Sequence, residues 1–220
     1  MSTEQDRLTP EQRANHDRLL EQYGFDPAEV RQVSFNTSDT PGPTLLSADV
    51  KKSALKPRFF VINNIAELLE HGGVPDEQVT SGIVSDSHVT YPDDWDANRN
   101  RLIAKAAHGD QLGAMLTDEE RQNVRLAMRA YMMGDSSKVK GYEDVINAAH
   151  FPQLATVMAA ENITVDPGHP LIIKPPPSDH YHYTPSDPYK VIIGTLTIVQ
   201  GGQIFIEVPA NITVQQMVKK

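Results

Sequence analysis

The chain has 220 residues and carries 29 acidic against 20 basic side chains, a net charge of -9. So acidic a surface repels a phosphate backbone, which argues against nucleic acid as a partner. Hydrophobic residues at 39% and charged residues at 22% fit a soluble globular protein, no apolar run of about 18 residues exists to form a membrane span, and the absence of cysteine excludes disulfides, thiolate zinc sites and cysteine nucleophiles together.

The first element is a helix. Thr9 stands at the N-cap, Pro10 at the first helical position and Gln12 three residues after the cap, a capping box. Leu19, Leu20 and Tyr23 give it an apolar face and Gly24 stops it. Asp26 caps a short further turn in DPAEVRQV. The stretch SFNTSDTPGPTLLSAD is rich in turn residues and reads as a linker or long loop. RFFVINN, from Arg58 to Asn64, reads as a short strand, and IAELLEHGG as a helix ended by Gly72 and Gly73. EQVTSGIVSDSHVTYP is expected to hold one or two short strands.

The middle of the chain is the most helical. A helix is expected over 94–109. A second capping box, Thr117 with Glu120, opens a helix that Gly134 stops, with Val124, Met128 and Tyr131 on one face. KVKGYEDVINAAHFP reads as a third helix ending near His150, because the residue before Pro152 is driven out of helical conformation.

From about Glu161 the texture changes to β-branched runs, such as YKVIIGTLTIVQ, punctuated by Pro-Gly and Gly-Gly. Ile204, Ile206 and Val208 alternate with Phe205 and Glu207, and no internal repeat stands out. The expected organisation is therefore an N-terminal helical segment (1–36), a mixed segment (37–95), a helical segment (96–160) and a β-rich domain (161–220). The expected fold class is α+β: a helix-rich N-terminal part followed by a small C-terminal antiparallel β-sandwich or incomplete barrel.

Chemistry concentrates in PPPSDHYHYTPSDPY. Histidines at i and i+2 on a strand point to the same side and can meet one metal ion. His180-x-His182, followed by Asp187 and then Gly194, resembles the first metal-binding motif of the cupin family. That resemblance implies a double-stranded β-helix barrel holding a single divalent metal, with His180, His182 and Asp187 as ligands and Gly194 as a turn glycine. A fourth ligand would come from His150, His169 or a neighbouring chain. The prolines around the pair favour the other reading, a stiff surface loop presenting Tyr181, Tyr183 and Tyr189, with no cofactor.

The remaining constellations are better read as structure. Asp94, Asp96 and Asn98 have the spacing that opens a calcium loop, but Arg99 and Lys105 stand where glycine and glutamate are needed. His71 to Gly73 reads as a helix end, Gly134 to Ser137 as the next N-cap, and Ser85 to His88 as sequence adjacency without a triad. The N-x-S/T sequons at Asn36, Asn162 and Asn211 read as chance.

The expectation is a non-catalytic binding or interaction protein that presents the Pro/Tyr/His loop to a protein or carbohydrate ligand. The alternative is a metal-dependent cupin-like enzyme. Self-association would run through the β-rich part, because about 60 residues make a small core. The polar start, MSTEQDRLTPEQ, lacks the apolar stretch of a secretory signal, so cytoplasm is the default location, with export by a non-standard route left open.

Overall fold

Both capping boxes form. In the computed structural model, which describes residues 8–93, 103, 105, 110–176 and 187–220, Thr9 Oγ1 accepts from the Gln12 amide at 3.3 Å while Gln12 Oε1 accepts from the Thr9 amide at 2.9 Å. They open helix α1 (Pro10–Gln22). Asp26 caps α2 (Pro27–Val30) through the Ala28 amide. Thr117 and Glu120 exchange the same pair of bonds at the start of a helix over Asp118–Met133. The chain forms two units, Met1–Phe60 with Leu154–Lys220, and Val61–Gln153.

The second unit is helical. It contains α3 (Ile65–Gly72), α4 (Asp76–Thr80), α5 (Asp110–Met115), α6 (Asp118–Met133), a 3-10 turn (Ser136–Tyr142) and α7 (Glu143–His150). Val124, Ala127, Ala130 and Tyr131 from α6 are buried with Ile65, Val145 and Ile146 in one cluster. The short strands expected in EQVTSGIVSDSHVTYP are absent: Pro75 and the acidic pair Asp76 and Glu77 suit a helix start, and α4 forms instead. After it the chain is irregular and is held by side chains. Tyr91 donates to Asp86 Oδ2 at 2.7 Å and accepts from the Asp135 amide at 2.8 Å. Asp76 accepts from both the amide and the hydroxyl of Ser136.

The first unit is a coil of parallel strands. β1 (Ser34–Asn36), β4 (Gln153–Val165), β6 (Tyr189–Ile198) and β8 (Ala210–Lys219) pair in that order, and β3 (Arg58–Ile62) also pairs with β4. β2 (Thr44–Leu46), β5 (Leu171–Ile173) and β7 (Ile204–Ile206) form a second, three-stranded sheet. Every pair whose register is described is parallel. The expected antiparallel β-sandwich or incomplete barrel is therefore wrong, and the helices are not confined to an N-terminal part.

The reason lies in the turns. Pro167-Gly168 and Gly201-Gly202 look like hairpin signals, and Gly168 (φ 76°) and Gly201 (φ 86°) do adopt the left-handed conformation that glycine permits. They turn the chain from one sheet onto the other instead of folding it back beside itself. The supposed linker SFNTSDTPGPTLLSAD supplies β1 and β2. Each is three residues long, too short to show a period, and each takes its partner from the far end of the chain.

Identical positions of successive windings stack in columns. Met158 pairs with Val191 and Val191 with Ile212; Ile163 pairs with Leu196 and Leu196 with Met217. The interior holds Met158, Ala160, Ile163 and Val165 from β4 and Tyr189, Val191, Ile193 and Leu196 from β6. The inward parity thus switches from even to odd between Ala160 and Ile163, and the opposite way between Ile193 and Leu196. Such a switch requires two successive residues that do not point inward, so the large sheet bends there into a corner. On its outer face Val157, Ala159 and Ile192 pack against Leu20 of α1, Tyr23 just after it and Val30 of α2. Burial on both faces is why these strands read as nearly unbroken apolar runs.

Candidate interaction surface

The two ends of the coil differ. At the first winding, residues 47–55 fold over the interior. Ala48 and Leu55 join the core cluster beside Leu46, which is fully buried. The Ala48 amide donates to the Tyr189 hydroxyl at 3.0 Å, and the Ala54 amide to the Leu45 carbonyl at 2.8 Å. At the last winding nothing comparable lies over the interior among the described residues. Along one column Leu196 is 2% exposed and Met217 57%; along another Ile173 is 1% exposed and Ile206 53%. Phe205 is exposed beside them. β8 and β7 end their sheets, so each has an edge with no strand beside it among the described residues. Exposed apolar side chains at the last strands of a sheet are a feature by which such edges recruit partners.

A charged cluster sits at the corner. Arg13 of α1 makes a bidentate pair with Glu161 of β4. His16, one helical turn on, is fully buried; neither ring nitrogen has a hydrogen bond among the described residues, and Nε2 lies 3.8 Å from Glu161 Oε2. Burial holds the His16 imidazole below its usual pKa, against the pull of Glu161. Gln12 Nε2 donates to the Gln215 carbonyl of β8 at 2.9 Å, fixing the same helix to the last strand. Lys190 donates to Asn211 Oδ1 at 3.1 Å and lies 5.5 Å from the centre of the Tyr23 ring. Burial lowers the Lys190 pKa and pushes Tyr23 up to about 12. Arg13, Glu161 and Gln12 bond between helix and sheet, while the His16 nitrogens stay without a hydrogen bond among the described residues.

The residues singled out from sequence fall as follows. His180, His182, Tyr181 and Tyr183 lie outside the described residues, as do Asp94, Asp96 and Asn98. Asp187 is 2% exposed and its Oδ1 accepts from the Leu154 amide at 3.2 Å. Tyr189 is a core residue, 1% exposed, at the first position of β6. Gly194 is no turn glycine: it lies within β6 at the corner, where an added Cβ would come 2.6 Å from the Glu161 carbonyl oxygen. The antiparallel barrel that the cupin resemblance implies is replaced by parallel windings. Ser85 bonds Ser87, and Asp86 bonds Tyr91 and Lys138, so Ser85 to His88 assembles no triad. Among the described residues no three His, Cys, Asp or Glu side chains gather as metal ligands. No described helix is long and apolar enough to cross a membrane.

The sequence does carry a signal for the open end. A-A-E-N-I, I-I-G-T-L and T-V-Q-Q-M occupy matching positions of β4, β6 and β8, and the polar pair in the last copy marks the same corner. Comparison of the chain with protein-family models, with curated proteins and with solved structures found no match.

Proposed function

We propose that this protein is a non-catalytic interaction protein that binds a protein partner through the open end of its parallel coil. The observation that carries this reading is the exposure of Ile206 and Met217 at positions whose counterparts one winding earlier are buried. Repetitive folds cover such ends with polar caps when the end faces water. The apolar character of Phe205, Ile206 and Met217 favours a protein strand edge over a carbohydrate, which needs polar groups around an aromatic platform.

The test is site-specific photocrosslinking in the native host. A photoreactive residue replaces Ile206, Met217 or, as a control, Val50, which is exposed at 58% but adjoins the covered end. Protein adducts are expected at 206 and 217 and not at 50. Equal yields at all three positions, or none at any, would overturn the proposal.

A further inference from the structure

We infer that α1 is an acid-released clasp on the coil: a proton taken up by His16 unseats the helix from β4 and loosens its hold on β8. The inference goes beyond the interaction reading above and does not depend on it. Three observations support it.

The first concerns how little apolar surface seats the helix. Within α1 the buried residues are His16 and Leu20, with Leu19 partly buried beside them. An element with few buried apolar contacts belongs to the least stable part of a fold and opens locally. The rest of the hold is polar. Arg13 pairs with Glu161 of β4, and Gln12 Nε2 donates to the Gln215 carbonyl of β8. Once undocked, a helix of 13 residues is marginal in water and frays.

The second concerns charge balance. The groups that act on the His16 ring are Arg13 and Asp17 of its own helix, Glu161 of β4 and Arg31 just after α2. Two cations face two anions, and each carboxylate already has its arginine: Glu161 has Arg13, and Asp17 has Arg31. β6 and β8 supply no further charge to the ring; Lys190 of β6 is turned to Asn211 and the Tyr23 ring. A neutral imidazole therefore leaves the cluster balanced. An imidazolium is a fifth, uncompensated charge in a buried place, which a fold sheds by protonating elsewhere or by moving the group into water.

The third concerns hydrogen bonding. His16 is fully buried, neither ring nitrogen has a partner among the described residues, and the nearest carboxylate oxygen is 3.8 Å away, beyond a hydrogen bond. A proton on the docked ring gains no bond, whereas on the undocked ring it is hydrated. Acid therefore favours the undocked helix. That state leaves Val157, Ala159 and Ile192 without the cover of Leu20, and the Gln215 carbonyl without its donor. An apolar sheet face and a backbone acceptor on the last strand become available together.

The experiment is hydrogen exchange of the full chain at about pH 7.5, 6.5 and 5.5, read as protection factors so that the intrinsic effect of pH on exchange is removed. One linked proton should lower the protection of α1 about tenfold per pH unit below about 6.5, down to the folded value, while β6 keeps its protection. In His16→Met the protection of α1 should not change with pH. In Arg13→Gln the Glu161 carboxylate is left to the imidazolium, and the direction should reverse, with α1 better protected at the lower pH. A parent whose α1 stays level with β6 on acidification overturns the inference, whatever the variants do. So does a His16→Met variant whose α1 loses protection as steeply as the parent's.

Discussion

At Gly194 the chain has room for hydrogen and nothing larger. A methyl group there would meet the Glu161 carbonyl oxygen, a backbone atom that cannot swing aside, at 2.6 Å, and Leu8 Cδ1 at 3.4 Å. Gly194→Ala should cost about 1–3 kcal/mol, lowering the melting temperature by about 2–4 °C per kcal/mol. Gly141→Ala, where nothing lies within 4 Å of the added carbon, should melt with the parent. His16 offers a second test at this scale. Facing it are Glu161 from β4, Arg13 and Asp17 from its own helix, and Arg31 beyond α2. Its folded pKa is depressed, so the unfolded chain binds its proton more readily. The stability from the neutral buried ring is complete above the unfolded value of about 6.5 and is lost as pH falls below it through the folded value. His150, depressed by burial and by Arg125, acts in the same direction. Melting temperature should therefore drop on acidification below neutrality, and His16→Met should remove part of that drop. A His16→Met profile parallel to that of the parent would show that the imidazole is not held neutral.

At the scale of elements, the cover over the first winding depends on one buried hydroxyl. Tyr189 Oη is the acceptor for the Ala48 amide, and both residues are buried. Tyr189→Phe leaves that amide without its partner, at a cost of about 1–3 kcal/mol, and should speed amide exchange across residues 47–55 more than across β6. Were Tyr189 a surface aromatic serving a ligand, the change would leave both unaltered. What was legible in the sequence divides along this line. Capping boxes at Thr9 and Thr117 are local events, settled within four residues, and they form as read. The β-branched runs announce strands correctly. Direction of pairing is not local: Tyr189 and Gly194 look like loop and turn residues beside Pro188 and after YKVII. Their environments are set by Ala48 and Glu161, which are far away in sequence.

At the scale of the whole molecule, the distinction between a sandwich and a parallel coil rests on what the connections do. Pro-Gly and Gly-Gly mark a change of direction without saying whether the chain returns beside itself or moves to another sheet. Unequal winding lengths hide the repeat as well, since Thr156 stacks on Tyr189 and Tyr189 on Ala210 at different spacings. The alternation of Ile204, Ile206 and Val208 was legible, but not that Val208 is buried while Ile206 is exposed.

The helical unit Val61–Gln153 is spliced between windings of the coil. During synthesis β1 and β2 emerge early, yet their only described partners, β4 and β5, leave the ribosome after that entire unit. Residues 34–46 must wait, exposed, while their neighbours are made, and the coil is bound to assemble from contacts remote in sequence, the slow regime of folding. The helical unit, with its own core built from contacts within Val61–Gln153, is under no such wait.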